Sequence, residues 1–218
     1  MPSTDYLAHY AEHYNTVELN GVFYRMPEPE AVKHWYEVTP KNFIFAYKAS
    51  RFITHIKKLM DPAAPLRLML HRADLLKEKL GPILFQLPPG WSIDLARLKS
   101  FLQALPGGYR FVMEFRNSSW FTEQVYELLE KHRIALCLFD MKGVPSPIHF
   151  TGSLAYLRFH GSEQKYAGNY SLSALREWAA KIRRWRKQKR SAFVYFNNDL
   201  QGHALKNANE LKSILKIR

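Results

Sequence analysis

Two hydrophobic patterns alternate along the chain: short β-rich runs and longer amphipathic stretches. The strand candidates are NTVELNGVFY, FIFAYKAS, GPILFQLP, RFVMEF, IALCLFD, LAYLRFHG and SAFVYFNN. The stretches with apolar residues near helical spacing are EPEAVKHWYEV, PLRLMLHRADLLKEKL, IDLARLKSFLQAL, FTEQVYELLEKH, LSALREWAAKI and ANELKSILKI. Strands that alternate with helices indicate repeated βα units and a parallel sheet.

About seven such repeats in 218 residues predict an α/β fold, a TIM-type (β/α) barrel, as a single domain over residues 1–218. A doubly wound open sheet is the alternative. That fold usually carries a glycine-rich first turn, and neither GxGxxG nor GxxxxGK[ST] occurs here. Gly81 after EKL and Gly107–Gly108 after QALP are predicted to stop helices.

Nearly every predicted strand ends in polar or charged residues. In RFVMEFR, alternation places Glu114 and Arg116 on one side of the strand and Phe115 on the other. The remaining strand-end residues are Glu18, Asn20, Lys48, Gln86, Asp140, Arg158, His160, Asn197, Asn198 and Asp199. Because the carboxyl ends of barrel strands meet at one mouth, the sequence predicts a polar site there.

Some of these residues are potential metal ligands. Carboxylates and imidazole bind divalent metals, and the candidates are Glu18, Glu114, Asp140 and His160. They lie far apart in the sequence, and the basic side chains at the same level oppose a cation. A divalent metal is therefore the less favoured alternative, and the sequence leaves the cofactor unknown.

The basic side chains favour a small anionic ligand, phosphorylated or sugar-like. Lys48 offers a point charge, and Arg116 and Arg158 offer planar forks for phosphate or carboxylate. Lys48 is alternatively a Schiff-base nucleophile. The candidate catalytic residues are Glu18 or Glu114 as general base, His160 as acid, Lys48 and Asp140. The candidate substrate-binding residues are Asn20, Tyr24, His55, Gln86, Arg116, Trp120, Arg158, Asn197 and Asn198.

The reaction type stays open at this point among hydrolysis, isomerisation and elimination, and so does the question of whether catalysis occurs. Aromatic residues in predicted loops after strands are candidates for stacking on a sugar or base: Phe23, Tyr24, Trp91, Trp120 and Tyr166. Those within helical patterns are predicted to pack on the barrel: Trp35, Trp178 and Trp185.

The chain is basic, with 32 Lys and Arg against 19 Asp and Glu and a net charge of +13. The densest basic run is KIRRWRKQKR, residues 181–190. A solvated helix end is the favoured interpretation, since cations suit a helix C-terminus. A nucleic-acid surface is the alternative, and because the run precedes a strand, it belongs on the face opposite the mouth.

Cys137 is the only cysteine, in the apolar run IALCLFD, so an intrachain disulfide is excluded and a reducing compartment is favoured. The N-terminal residues lack the pattern of a secretory signal, and no apolar run approaches the roughly 18 residues that span a bilayer. The sequence therefore predicts a cytoplasmic protein without a membrane partner.

Six motifs in register, NTVELNGVFYRMP, FAYKASRFITH, GPILFQLPP, EFRNSSW, LRFHG and VYFNND, resemble the DUF72 or YecE-like family. The resemblance runs from about Tyr6 to the C-terminus and implies a TIM barrel of unknown biochemical function. It makes motif positions of Asn15, Glu18, Asn20, Phe23, Tyr24, Lys48, His55, Gln86, Pro88, Pro89, Glu114, Arg116, Trp120, Asp140, Arg158, His160, Gly161, Asn197, Asn198 and Asp199.

The resemblance fails at the start of the chain. Members usually open with a strand carrying Gly-Thr-Ser-Gly-Trp, and nothing here corresponds to that strand. A barrel without it has two exposed edges, which are prone to association. We therefore expect either a homodimer or a strand gap covered by the N-terminal segment.

Overall fold

A computed structural model describes residues 5–141, 146–161 and 167–217. Tyr166, which was predicted to stack on a ligand, lies outside these ranges. The backbone forms two compact units, Met1–His132 and Arg133–Arg218. All seven predicted strands are present, and the strand pairs within each unit are parallel. The prediction of one domain over residues 1–218 stays a prediction.

The first unit is a run of βα repeats preceded by a helix. Its elements are α1 (Tyr6–His13), β1 (Thr16–Leu19), α2 (Pro29–Val38), β2 (Ile44–Lys48), α3 (Ala63–Ala73), β3 (Leu80–Gln86), α4 (Leu95–Ala104), β4 (Phe111–Glu114) and α5 (Glu123–Lys131). The strands pair in chain order, β1 with β2, β2 with β3 and β3 with β4. Residues 5–15 contain α1 and no strand.

Local sequence explains where the helices of this unit begin. Asp94 caps α4 by accepting a hydrogen bond from the Arg97 amide at 3.0 Å. The Thr122 hydroxyl accepts from the Val125 amide at the start of α5 in the same way. Pro29 occupies the first position of α2, where its missing N–H has no intrahelical partner to lose.

The prediction that Gly81 stops a helix is wrong, because Gly81 is the second residue of strand β3. A Cβ at this position would lie 2.8 Å from the Phe45 carbonyl oxygen on β2. Glycine is therefore required here by close packing between strands. Gly107 and Gly108 do follow a helix, since α4 ends at Ala104. Gly108 has a φ of 92°, a left-handed conformation that glycine adopts easily.

The second unit continues the same architecture. Its elements are β5 (Ala135–Asp140), β6 (Leu154–Phe159), α6 (Leu172–Lys187), β7 (Ser191–Phe196) and α7 (His203–Leu215). One face of the β5–β6–β7 sheet packs against the two helices through a buried core that contains Leu138, Leu157, Phe159, Leu175, Ile182 and Leu211. The opposite face carries Tyr156, Arg158 and Tyr195 by alternation.

None of the helices among the described residues combines the length and the apolar character that a membrane crossing needs.

Candidate functional site

The strand register gathers polar residues on one face of the first unit. Residues paired between parallel strands share a face, as do residues two apart on one strand. Gln86 pairs with Glu114, and Lys48 pairs with Leu84, two residues before Gln86, so all three polar side chains share one face. Glu18 pairs with Ala46, which lies two residues before Lys48. Glu18, Lys48, Gln86 and Glu114, together with Arg116, form what we call the polar face. Alternation had predicted this arrangement for Glu114 and Arg116.

Most of the polar face is buried, and hydrogen bonds join Gln86, Glu114 and Arg116. Arg116 donates from Nε to Glu114 Oε1, and Gln86 donates from Nε2 to the same oxygen at 3.2 Å. The Glu18, Lys48 and Glu114 side chains are all buried. The face contains two carboxylates, two cations and an amide, so opposite charges offset the cost of taking each one out of water.

The ring of Phe23 brings two basic side chains together. Phe23 ends a 3₁₀ turn, Gly21–Phe23, that follows β1. The Lys48 Nζ lies 4.4 Å from the centre of the Phe23 ring, and the His55 ring lies 5.1 Å from it in an edge-to-face arrangement. Asn20 lies just before this turn, and Tyr24 follows it with 72% of its surface exposed.

The pKa of His55 is lowered by its surroundings. It lies in a π-helical turn, Phe52–Ile56, that follows β2, and a hydrogen bond of 2.9 Å joins its Nδ1 to the Thr54 hydroxyl. Burial lowers the pKa of His55 first, and the positive charges of Lys48 and Arg51 lower it further. The charges of Lys48 and Arg51 therefore both act on His55 beside the polar face.

Trp120 is corrected from ligand contact to core residue. Its side chain is 0% exposed and stacks on Phe115 with ring centres 4.9 Å apart. Its indole N–H donates to the Trp91 carbonyl at 2.7 Å, so its one donor is already used. Trp91 is also buried and packs edge-to-face against Trp120. Neither ring is available to stack on a sugar or base.

The second unit has its own polar strand ends. Arg158 pairs with Tyr195 across β6 and β7, and alternation places His160 and Asn197 on the same face. Arg158 and His160 are buried. The Asn197 Nδ2 is also buried, and among the residues that the structure describes it has no hydrogen-bond partner. A buried amide donor of this kind is suited to a bound acceptor.

Asp140 does not belong with these residues, which corrects its predicted role beside His160. It pairs with Phe159, and its Oδ2 accepts from the Trp178 Nε1 of α6 at 3.3 Å. The carboxylate therefore lies on the helix-facing side of the sheet, opposite His160. Burial raises the pKa of Asp140, while the Trp178 hydrogen bond and the Lys181 charge act in the opposite direction. Asp140 and His160 cannot ligate one metal ion from opposite faces.

Asn198 makes structural contacts through its Nδ2, while among the described residues its buried Oδ1 has no hydrogen-bond partner, so its predicted binding role stays a prediction. It is fully buried, and its Nδ2 donates to the Gly168 carbonyl at 2.9 Å and to Asn207 Oδ1 at 3.0 Å. Asn207 is a buried residue of α7. Asp199 is exposed as a residue, but its carboxyl is partly shielded from solvent, and this desolvation raises its pKa. The prediction that all strand ends meet at one mouth stays a prediction.

The basic run 181–190 covers the last turns of α6 and the residues before β7. Trp185 is buried and packs on Phe150 with ring centres 4.5 Å apart. Arg183 donates to the Ile214 carbonyl, and Arg190 donates to the Gly152 carbonyl at 3.1 Å. The predicted helix end is confirmed, and several of its side chains hold neighbouring segments of the second unit.

Sequence reasoning missed one cluster of potential metal ligands. His9, Glu12 and His13 lie on α1 with their ligand atoms all within 4.8 Å of one another. The signal was present in the sequence, since residues three and four apart share one face of a helix.

The repeats of both units and their polar strand ends define an α/β protein of the TIM-barrel class, which confirms the predicted fold class. The sequence profile of the family described as "Protein of unknown function DUF72" matches residues 1–218, and the chain belongs to this family. The predicted resemblance, which ran from about Tyr6 to the C-terminus, is therefore confirmed, and the match extends to the first residue.

Relatives and solved structures agree with this assignment. The chain is 27% identical over 245 residues to UPF0759 protein YunF of Bacillus subtilis, covering 95% of this chain and 86% of YunF. It is 33% identical over 118 residues to UPF0759 protein YecE of Escherichia coli, covering 54% of this chain and 43% of YecE.

A DUF72 family crystal structure from Thermotoga maritima has a TM-score of 0.89 at 26% identity, covering 99% of this chain and 91% of that one. A second, from Enterococcus faecalis, has a TM-score of 0.87 at 20% identity, covering 99% and 92%, and shows the fold alone.

Proposed function

We propose that the protein binds a small anionic ligand, phosphorylated or sugar-like, beside the polar face of the first unit. The observation that carries this proposal is the packing of Lys48 and His55 on one phenylalanine ring, Phe23. Burial lowers the pKa of His55, and the positive charges of Lys48 and Arg51 lower it further. An anion bound here would attract the charges of Lys48 and Arg51 and would favour the charged form of His55, so binding should be favoured by charge.

The same residues set the chemistry that is open to the ligand. Lys48 supplies a point charge, and Gln86 and the carboxylates supply hydrogen-bond partners for hydroxyl groups. Glu18 or Glu114 is the carboxylate that we propose as general base, and Glu114 accepts from both Gln86 and Arg116. Hydrolysis, isomerisation and elimination are all compatible with an acid and a base of these types. Arg158, His160 and Asn197 of the second unit favour the same class of ligand.

Thermal unfolding with matched ligands tests the proposal. A ligand at about 100 times its dissociation constant adds roughly 2.7 kcal/mol of stability. We expect inorganic phosphate or glucose 6-phosphate to raise the melting temperature, and uncharged glucose to raise it less. Lys48→Met removes the charge but keeps an apolar chain against Phe23, and it should abolish the shift.

Lys41→Met is the matched control, because Lys41 is exposed and precedes the same strand, β2. This variant should retain the full shift with the anions. The proposal fails if no anion shifts the wild-type protein, or if Lys48→Met and Lys41→Met respond alike.

Nucleic-acid binding through residues 181–190 is the second candidate, favoured by the net charge of +13. The burial of Trp185 removes the aromatic that would stack on a base. Binding of a short oligonucleotide should weaken steeply with salt and on neutralising Arg184 and Arg186. A flat response to salt would eliminate this candidate.

A homodimer and a cytoplasmic location also remain proposals. Cys137 is buried and, as the single cysteine of the sequence, forms no intrachain disulfide, which agrees with a reducing compartment. Light scattering of the purified chain tests the dimer, and a monomeric mass at all concentrations would argue against it.

A further inference from the structure

We propose that His9, Glu12 and His13 on helix α1 form a site for a borderline divalent transition-metal ion, with Zn²⁺ as the first candidate. Their ligand atoms all lie within 4.8 Å of one another, and all three side chains are exposed to solvent. This site is separate from the proposed anion site and does not depend on it.

The distances require little adjustment to hold an ion. Zn²⁺ with bonds of about 2.0–2.1 Å in tetrahedral geometry keeps its ligand atoms roughly 3.3 Å apart. The His9 Nδ1 already lies 3.1 Å from Glu12 Oε2. The two imidazole rings are 5.0 Å apart at their centres and nearly perpendicular. Because the side chains are exposed, rotation of the His13 side chain can bring its ring nitrogen to the ion.

The backbone that carries these ligands is fixed from the other side of the helix. Tyr10 donates from its hydroxyl to the Thr16 carbonyl at 3.1 Å and packs against Phe43 and Tyr14. Ala11 is buried. Because α1 is held by these contacts, the three ligands need to lose only side-chain freedom on binding, which favours association.

The chemistry of the ligands selects the class of ion. Two imidazoles and one carboxylate suit Zn²⁺, Ni²⁺ and Cu²⁺, whereas Mg²⁺ and Ca²⁺ prefer oxygen ligands alone. The sequence of α1, YLAHYAEH, contains no Lys or Arg, so a cation meets no positive charge on this helix although the whole chain is strongly basic. Three protein ligands leave water to complete the coordination of Zn²⁺.

Zn²⁺ titration of the metal-free full-length chain, by calorimetry and by competition with a chromogenic chelator, tests the site. We expect one equivalent of Zn²⁺ to bind and to raise the melting temperature, and Mg²⁺ to have no effect. Residues that only hydrogen-bond to the ligands of a metal contribute about 10- to 100-fold to its affinity, and a direct ligand should contribute at least as much. His9→Ala and His13→Ala should therefore each weaken binding about tenfold or more, and Glu12→Gln should also weaken it.

His34→Ala is the matched control, since His34 is an exposed histidine on another helix, α2. It should leave the affinity unchanged. Alanine is the best helix former, so the His9 and His13 variants should fold, which circular dichroism checks. Absence of binding to the wild-type chain, or an equal affinity in His9→Ala, His13→Ala and His34→Ala, would overturn the proposal.

Discussion

Arg116 donates a hydrogen bond from Nε to the carboxylate of Glu114, and the two side chains are only 6% and 0% exposed. Glu114 is the last residue of β4, and Arg116 follows it on the same side of the chain. The charged pair therefore lies at the end of a strand whose other face is apolar. A buried pair of this kind adds little stability over an apolar pair, but either charge left alone in the interior is costly.

Arg116→Met should therefore destabilise the protein by about 3–5 kcal/mol, since it leaves the Glu114 carboxylate buried without this cation. Urea unfolding at pH 7 measures the loss. Arg97→Met is the control, because Arg97 pairs with Asp94 while about a third of each side chain is exposed, 32% and 33%. Removing that surface pair should cost at most about 1 kcal/mol. Equal losses in the two variants would contradict the prediction.

The alternation of side chains along a strand made part of the polar face predictable from the sequence. The parity of Glu114 with Arg116 and of Arg158 with His160 followed from the two-residue period of a strand. The face on which Asp140 lies was predicted wrongly, because a polar residue that ends a strand can point to either face of the sheet. Only the Trp178 side chain, 38 residues further along, reveals that Asp140 faces α6.

Other features could not be predicted because they depend on contacts between distant segments. Trp120 follows a strand as a loop aromatic would, yet its partner is the Trp91 carbonyl 29 residues earlier. Gly81 follows a helical segment, and only the neighbouring strand shows that a Cβ would not fit there. The spacing of His9, Glu12 and His13 is local and could have been recognised from the sequence, since residues three and four apart share one face of a helix.

The titration of His55 should reveal the field of its basic neighbours. The folded-state pKa lies below the unfolded value of about 6.5, so the unfolded chain binds more protons between those two pH values. Stability should therefore rise with pH through that window and level off above about 6.5. Lys48→Met should raise the pKa of His55 but not restore it fully, because burial is the larger cause.

Two-dimensional NMR of the histidine rings measures this pKa, with His55→Gln identifying the resonance. Lys41→Met should leave it unchanged, since Lys41 lies before the amino end of β2 and Lys48 ends that strand. A pKa of His55 at or above 6.5 in the wild-type chain would remove the electrostatic argument for an anion.

Asn207 should be the most sensitive polar position of α7. It donates from Nδ2 to Asn169 Oδ1 at 2.9 Å and to the Tyr170 carbonyl at 3.2 Å. Its Oδ1 accepts from the Tyr170 amide at 3.1 Å and from Asn198 at 3.0 Å. Asn207→Ala leaves several buried groups without partners, so we expect a loss of about 2–4 kcal/mol.

Asn209→Ala makes the same substitution at an exposed position of the same helix and should cost less than about 0.5 kcal/mol. Urea unfolding compares the two variants. If Asn207→Ala is as stable as Asn209→Ala, the amide network does not hold α7 in the second unit.

Gly81→Ala tests the close packing of β2 and β3. The added methyl group would lie 2.5 Å from Ile44 Cγ2 and 2.8 Å from the Phe45 carbonyl oxygen. The Ile44 side chain can move, but the Phe45 oxygen belongs to the strand backbone, so the two strands must separate locally. Overpacking of this kind costs about 1–3 kcal/mol. Gly107→Ala meets nothing within 4 Å and should stay close to wild type. Urea midpoints that fall equally in both variants would mean that loss of glycine flexibility, rather than contact between β2 and β3, determines the effect.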